Sequence, residues 1–180
     1  MRVITGSARG RRLIEPSGKD IRPTTDQVKE SVFNILQFDI EGRKFLDLFG
    51  GTGQMGIEAL SRGAETVTFV DSDVSSVRLI RENLKLTGFS DKASVIQGNS
   101  IAFLENCGKF DIIYIDPPYK TSLAEEALRK INQFDILKDN GIIVCESMYG
   151  TAMPELLPPY VKKSERKYGR IGITVYVKEI

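Results

Sequence analysis

Four consecutive residues, Asp116-Pro117-Pro118-Tyr119, follow an apolar run and carry the most specific chemical signal in the chain. Neither proline has an N–H group to offer a neighbouring strand, so a β-strand must end here. The Asp116 carboxylate and the Pro117 carbonyl then provide two nearby acceptors, which suit the two N–H donors of an exocyclic amine. The Tyr119 ring offers a flat face on which a nucleobase can stack. The alternative is a Pro-Pro turn that ends a strand, with Asp116 as a local cap.

A second candidate site is the glycine-rich segment that follows a predicted strand at Phe45–Phe49. Gly51, Gly53 and Gly56 match the pattern G-x-G-x-x-G, whose glycines allow a sharp turn and close approach of a ligand to the backbone. Asp71 ends the next predicted strand about 20 residues later, the spacing at which a carboxylate binds ribose hydroxyls. Together these features predict a nucleoside-bearing cofactor, whereas the glycines alone could form an ordinary tight turn.

Asp47, just before the glycines, bears on the identity of that cofactor. A carboxylate would repel the pyrophosphate of a dinucleotide, which binds at a helix N-terminus, but would attract the ammonium group of S-adenosylmethionine. The residues therefore favour S-adenosylmethionine over NAD, while Asp47 could instead be a buried strand residue that caps a neighbouring turn. Asn99, after the third predicted strand, could hydrogen-bond to an adenine ring or could be the N-cap of the next helix.

Composition excludes several other kinds of site. The chain has 180 residues and no histidine, which excludes Ser-His-Asp and Cys-His nucleophilic sites and zinc sites that need histidine. Cys107 and Cys145 are too few for an all-cysteine zinc site or a disulfide framework, and we expect two buried thiols and no metal. No apolar run is long enough to span a bilayer, which predicts a soluble cytoplasmic protein.

The net charge of +1 conceals an uneven distribution. Residues 1–23 carry six basic and two acidic side chains, a net charge of +4, and residues 160–180 also have a net charge of +4. The intervening residues 24–159 have 13 basic and 20 acidic side chains, a net charge of −7. Basic ends on an acidic body suggest a local patch for a polyanion if the two ends meet, and otherwise two solvated surface segments.

Apolar periodicity and turn residues predict alternating strands and helices. We predict helices over 26–38, 55–62, 74–87, 100–106 and 123–134, and strands over 45–49, 66–70, 93–97, 111–115, 141–146, 160–168 and 171–177. This alternation indicates a doubly wound, mostly parallel seven-stranded sheet with an antiparallel C-terminal hairpin. Residues 1–23 are predicted to form a short basic hairpin or irregular arm.

The chain resembles a known family. The tetrapeptide at 116–119 resembles the [DNS]-P-P-[YF] motif of the amino-methylating class I S-adenosylmethionine-dependent methyltransferases. Essentially the whole chain resembles the RsmD-type bacterial 16S ribosomal RNA guanine-N2 methyltransferases, and the N-terminal motif is the most specific part of this resemblance. The segments that carry this resemblance are Arg9–Leu13, Arg22–Asp26, Lys29–Leu36, Asp47–Gly53 and Gly56–Gly63. It implies a Rossmann-like class I fold in a single domain over 1–180, with residues 1–23 as a basic extension of a catalytic core at 24–180.

The resemblance also implies a reaction and a set of site residues. The reaction is transfer of a methyl group from S-adenosylmethionine to the exocyclic N2 of a guanine in 16S ribosomal RNA, without a metal. The implied catalytic residues are Asp116, Pro117, Pro118 and Tyr119. The implied cofactor-binding residues are Asp47, Phe49, Gly50, Gly51, Gly53, Asp71, Ser72, Asn99 and Ser100. The implied RNA-binding residues are Arg9, Arg11, Arg12, Arg22 and Thr24. The family often has Phe where this chain has Tyr119 and Glu where it has Asp71.

Three other functions remain possible from the residues alone. An amino-methyltransferase acting on adenine in DNA or RNA would use the same tetrapeptide. An NAD-dependent oxidoreductase would use the glycine segment but has no use for the tetrapeptide. A non-catalytic RNA-binding protein would need neither. We expect the partner to be 16S ribosomal RNA, within a small-subunit assembly particle, and the protein to be a monomer because a hairpin closes one sheet edge.

Overall fold

The chain folds into alternating helices and strands. The structure is a computed structural model that describes residues 1–17 and 24–180. The helices in this part of the chain are α1 (Asp26–Ile35), α2 (Gln54–Ser61), α3 (Val74–Thr87), α4 (Ser100–Phe103) and α5 (Leu123–Phe134). The strands are β1 (Lys44–Asp47), β2 (Thr66–Asp71), β3 (Ala93–Gln97), β4 (Phe110–Ile115), β5 (Leu137–Met148), β6 (Tyr160–Tyr168) and β7 (Ile171–Lys178).

The seven strands form one mixed sheet in the order β3-β2-β1-β4-β5-β7-β6. Strands β1, β2 and β3 pair in parallel, as do β4 and β5, whereas β7 pairs antiparallel with both β5 and β6. The predicted α/β sheet with an antiparallel C-terminal hairpin is thereby confirmed. The residues divide into two compact units, Met1–Gly98 and Asn99–Ile180. The single domain over 1–180 stays a prediction.

In the first unit, helices α2 and α3 pack on the parallel strands β1, β2 and β3. Every residue of α2 is buried. Helix α3 begins at the N-cap Asp73, whose carboxylate accepts a hydrogen bond from the Ser76 N–H. It ends at Gly88, which adopts the left-handed conformation that a glycine C-cap allows. These two caps explain why the sequence predicted both ends of α3.

The N-terminal residues form an antiparallel turn. Arg2 and Arg12 make a single antiparallel bridge. The Val3 N–H donates to the Arg11 carbonyl and the Gly10 N–H to the Val3 carbonyl, both at 2.9 Å. Residues 1–13 of the basic arm therefore have the connectivity of a hairpin without regular strands.

In the second unit, α5 packs on β5 through its buried face, which includes Leu128 and Ile131. Strand β4 pairs with β5 up to Ile115, which lies opposite Cys145. Beyond Cys145, β5 continues to Met148 and pairs there only with β7. The turn between β6 and β7 contains Gly169 at a φ of +61°.

Three element boundaries differ from the prediction by three or more residues. Helix α1 ends at Ile35 rather than at residue 38, because Leu36 is its C-cap and Phe38 points into solvent with 90% of its surface exposed. Helix α4 has four residues instead of seven, since Leu104 already caps it. Strand β5 begins at Leu137, four residues early, because Leu137 pairs with Phe110. Across residues 1–17 and 24–180, no helix is long and apolar enough to cross a membrane.

Candidate active site

The segment between β1 and α2 forms a tight loop whose shape requires glycine. Gly51 and Gly53 have φ values of +55° and +79°, a region that other side chains disfavour. The Gly50 N–H donates to the Val70 carbonyl at 2.9 Å, which ties the loop to the end of β2. A Cβ built on Gly51 would meet only the Phe49 carbonyl oxygen, at 3.9 Å. The backbone at Gly51 is therefore open to close approach by a ligand.

The third glycine of the pattern serves packing instead. A Cβ on Gly56 would lie 2.3 Å from the Phe69 ring, so only glycine lets α2 approach β2 this closely. This is the packing role that the last glycine of a nucleotide-binding loop commonly has.

Asp47 lies at the end of β1 with 2% of its surface exposed. Its Oδ2 accepts a hydrogen bond from the Gly56 N–H at 3.1 Å. Burial, with a smaller contribution from the negative charge of Asp71, raises the pKa of Asp47 to about 8, although the hydrogen bond from the Gly56 N–H opposes this effect. Both interpretations of this residue fit the structure, because the carboxyl holds the start of α2 and a cationic ligand beside it would favour its ionised form.

Asp71 bonds the glycine loop to the end of β2. Its Oδ2 accepts from the Gly51 N–H at 2.8 Å, and its Oδ1 accepts from the Asp73 N–H at 2.9 Å. A carboxylate has about four acceptor sites, so these bonds leave capacity for ribose hydroxyls. Ser72 follows as an exposed residue, and Asp73 rather than Ser72 caps α3.

Asn99 opens the second unit as the N-cap of α4. Its Oδ1 accepts hydrogen bonds from the Ile101 and Ala102 N–H groups, both at 2.9 Å. Asn99 is therefore the N-cap of α4, one of the two roles that the sequence allowed. Its contact with an adenine ring stays a prediction. Ser100, the first residue of α4, is buried.

The tetrapeptide follows β4 directly, and the strand ends at Ile115 as the prolines predicted. Asp116 and Tyr119 are half-buried, Pro117 is buried and Pro118 is exposed. The Pro118 carbonyl accepts a hydrogen bond from the Thr121 Oγ1 at 2.8 Å, which closes the turn after the tetrapeptide.

A buried carboxylate that the sequence analysis missed holds the tyrosine of this motif. Glu146, on β5, accepts the Tyr119 hydroxyl at 3.0 Å through Oε1 and the Tyr114 hydroxyl at 2.6 Å through Oε2. Glu146 has 3% of its surface exposed, so its carboxylate is largely shielded from water, and its bond to Tyr114 is fully buried. An acid at the end of the apolar run Ile142–Cys145 was the available signal.

The basic arm presents its arginines to solvent. Arg9, Arg11 and Arg12 are exposed, and no ion pair within residues 1–17 and 24–180 involves them. Arg22 lies outside the described residues. The Thr24 carbonyl accepts a hydrogen bond from the Gln54 Nε2 at 3.1 Å, so its position is tied to α2.

Buried charged groups on α1 and α2, also missed from sequence, anchor the arm. Glu58 accepts hydrogen bonds from the Ile4 N–H at 2.8 Å and the Thr5 N–H at 2.9 Å. Lys29 donates to the Arg2 carbonyl at 2.6 Å. Burial lowers the pKa of Lys29, although the charge of Glu58 opposes that effect. Charged residues on apolar helix faces were the signal, but their partners are distant in sequence.

Asn83 on α3 makes a second anchor for the arm. Its Oδ1 accepts from the Ile14 N–H at 2.7 Å, and its Nδ2 donates to the Ile14 carbonyl at 3.2 Å and to the Thr52 carbonyl at 3.1 Å. One buried amide therefore connects the arm to the glycine loop.

Potential metal ligands are dispersed in the structure. Among the described residues, no group of three or more His, Cys, Asp or Glu side chains is placed to hold a metal ion. Burial raises the pKa of the Cys145 thiol well above its usual range, and Cys107 is half-buried.

The strand order and the loops at the strand ends define the class I methyltransferase fold. The chain belongs to the family described as "Conserved hypothetical protein 95", whose sequence model matches residues 1–177. This confirms the resemblance to the RsmD-type family.

Named relatives and solved structures agree with this family. The chain is 33% identical to ribosomal RNA small subunit methyltransferase D of Escherichia coli K12, over 99% of this chain and 90% of the relative. It is 39% identical to the Haemophilus influenzae protein of the same name, over 82% of this chain and 78% of the relative. The solved structure of Escherichia coli YhhF matches with a TM-score of 0.90 at 32% identity, over 99% of this chain and 98% of that one.

Proposed function

We propose that this protein transfers a methyl group from S-adenosylmethionine to the exocyclic N2 of a guanine in 16S ribosomal RNA. The observation that carries the proposal is the buried carboxyl of Asp47 beneath an open glycine loop. Burial raises the pKa of this carboxyl to about 8, and an ammonium group bound beside it would lower that pKa and pair with the ionised form. The names of the relatives support ribosomal RNA of the small subunit as the substrate.

In this proposal the residues that follow β1, β2 and β3, together with those that end β1 and β2, hold the cofactor. Asp47 binds the ammonium group, Asp71 binds the ribose hydroxyls, and the backbone of Gly50, Gly51 and Gly53, together with Phe49, lines the methionine moiety. Ser72, Asn99 and Ser100 complete the binding set on the adenosine side. When bound, S-adenosylmethionine supplies an electrophilic methyl group on a sulfonium and leaves as S-adenosylhomocysteine.

The tetrapeptide acts on the target base. Asp116 and the Pro117 carbonyl accept the two N–H groups of the exocyclic amine, which turns the nitrogen lone pair out of the ring system. Tyr119 stacks on the base, and Glu146 keeps the Tyr119 hydroxyl in place. A base must leave its stack to reach such a site. The residues accelerate the reaction by positioning, which can supply about 7–11 kcal/mol of a barrier.

A methyl-transfer assay tests the proposal. Purified protein and labelled S-adenosylmethionine are offered small-subunit particles from a methylation-deficient strain, naked 16S ribosomal RNA and DNA, and the products are analysed as nucleosides. We expect N2-methylguanosine at one site, with the particle preferred and the protein acting as a monomer. N6-methyladenosine, or label in DNA, would instead indicate an adenine methyltransferase, and RNA binding without transfer a non-catalytic protein.

The variant Asp116→Ala separates chemistry from cofactor binding. We expect turnover to fall by at least about 100-fold, as is typical for loss of a preorganised hydrogen-bonding group at the reacting atoms, while the affinity for S-adenosylhomocysteine is retained. Asp91→Ala removes an exposed carboxylate in the turn before β3 and is the matched control. Full turnover in Asp116→Ala would overturn the assignment of this residue.

A further inference from the structure

The C-terminal hairpin ends in a cluster of basic and aromatic residues that the roles above do not use. We define the hairpin tip as Tyr149 together with residues 166–170, which are Arg166, Lys167, Tyr168, Gly169 and Arg170. From 166 to 172 the sequence contains three cations and no acid. This segment contributes three of the six basic residues of the C-terminal segment 160–180.

Strand register places the hairpin tip at the carboxyl ends of β4 and β5. Ile115, the last residue of β4, pairs with Cys145, and β5 continues for three more residues to Met148. Met148 lies opposite Ile171, which begins β7 directly after the tip. Three residues at about 3.3 Å each place the tip about 10 Å beyond the end of β4. The tip therefore lies at the same end of the sheet as the tetrapeptide, which follows β4.

Contacts within the tip hold its aromatic ring in a defined place. The Lys167 Nζ lies 4.5 Å from the centre of the Tyr149 ring. The Tyr149 N–H donates to the Arg170 carbonyl at 2.9 Å. Tyr149 nevertheless keeps 51% of its surface exposed, so the ring remains available to another flat group.

Ion pairing distinguishes the tip from the other end of the same hairpin. There, Lys163 pairs with Glu179 and Lys162 with Glu155, while Lys178 pairs with two aspartates. In residues 1–17 and 24–180, no ion pair involves Arg166, Lys167 or Arg170, and all three are exposed. Within this hairpin, whose residues the structure describes throughout, the cations without a carboxylate partner are therefore those at the end nearer the tetrapeptide.

We propose that the hairpin tip binds the single-stranded RNA that flanks the target nucleotide, with phosphates on Lys167 and Arg170 and a base stacked on Tyr149. This inference rests on the proposed function and names a contact surface for its substrate. Single-stranded RNA combines anionic phosphates with exposed base faces, the two features that unpaired cations and an exposed tyrosine recognise. The tip and the tetrapeptide lie at the same end of the sheet. We therefore expect an RNA strand whose base has entered the tetrapeptide site to pass close to the tip.

The test measures affinity for unmethylated 16S ribosomal RNA as a function of salt concentration. The double variant Lys167→Gln/Arg170→Gln should lower the slope of log affinity against log salt by about 1.4, since each phosphate contact to a single strand contributes about 0.7. Tyr149→Ala should weaken binding by about 5-fold or more with little change in that slope. Lys163→Gln makes the same chemical change at the other end of the hairpin and should change neither quantity.

Two further measurements decide between the possible failures. Thermal unfolding and S-adenosylhomocysteine affinity should match the unsubstituted protein in every tip variant. Tip variants that bind RNA like Lys163→Gln, in a protein that does methylate RNA, would overturn this inference alone. An unsubstituted protein that binds RNA but transfers no methyl group would overturn the proposed function, and loss of RNA affinity in the tip variants would still support the tip as an RNA surface.

Discussion

A single buried carboxyl, Asp47, places stability and ligand binding in conflict. Its pKa in the folded protein is about 8, above the value of about 3.9 for an unfolded chain. The folded state therefore binds a proton more tightly than the unfolded state between these values. Stability from this group is present below about pH 4 and is lost as the pH rises toward 8.

Asp47→Asn should remove that loss. The amide oxygen can still accept the Gly56 N–H, so we expect the ligand-free variant to be more stable at pH 8 by a few kcal/mol and nearly unchanged at pH 4. The same change should weaken S-adenosylmethionine binding by at least about 10-fold, because the ammonium group loses its counter-charge. Thermal unfolding against pH and calorimetric titration measure the two effects. Parallel pH profiles for both proteins would contradict the prediction.

Tyr119 combines a ring and a hydroxyl that are expected to contribute differently. Tyr119→Phe keeps the ring and removes the bond to Glu146, and we expect kcat/KM for RNA to fall by less than about 10-fold, as for one hydrogen bond. Tyr119→Ala also removes the stacking face, which is worth about 1–3 kcal/mol, so it should be clearly more damaging. Steady-state kinetics on the particle give the ranking. Equal losses in both variants would show that the hydroxyl, not the ring, is decisive.

At the level of elements, local signals explain which boundaries the sequence could predict. Helix α3 has Asp73 and Gly88 at its ends, and β4 ends where Pro117 removes a donor. The β5 extension back to Leu137 depends on pairing with Phe110, which is a long-range contact. The glycine loop and the tetrapeptide were likewise visible because each is continuous in sequence.

Buried polar contacts between distant segments could not be predicted in this way. Glu58 accepts hydrogen bonds from arm residues more than 50 positions away in sequence, and Glu146 accepts one from Tyr119, which is 27 positions away. An acidic residue inside an apolar run can be noticed from sequence alone, and it indicates a buried partner because such residues are rarely fully buried without one. The sequence thus indicates that a partner exists but not which residue it is.

The docking of the arm on α2 depends on one glycine. A Cβ at Gly6 would lie 1.8 Å from the Ser61 carbonyl oxygen, and its φ is +88°. Gly6→Ala should therefore detach the arm, lower the melting temperature by several degrees and expose residues 1–14 to limited proteolysis. Gly10 is the matched control, because its φ is +81° and a Cβ there meets nothing within 4 Å.

Comparison of the two alanine variants isolates the steric effect. Gly10→Ala should show only the conformational penalty of about 1–2 kcal/mol for a left-handed backbone. If Gly6→Ala and Gly10→Ala unfold at the same temperature and resist protease equally, the arm is not held by this contact.

For the whole molecule, RNA affinity could depend on the net charge of the protein or on the positions of its basic residues. Replacing Arg9, Arg11 and Arg12 by glutamine changes the net charge from +1 to −2. Because these side chains are exposed on an anchored arm, we expect the salt slope of RNA binding to fall by about 2. Affinity for S-adenosylhomocysteine should be unchanged.

A second triple variant with the same net charge separates the two explanations. Arg78, Lys85 and Lys92 are exposed cations outside both basic ends, and their replacement by glutamine also gives a net charge of −2. Long-range attraction to the molecule as a whole would reduce RNA affinity equally in both variants, and mainly at low salt, since exposed charges are screened beyond about 10 Å at 0.1 M. Direct phosphate contacts by the arm would reduce the salt slope in the first variant only. Because residues 24–159 carry a net charge of −7 and repel RNA, contacts confined to the basic ends are the arrangement that lets a nearly neutral protein bind a polyanion.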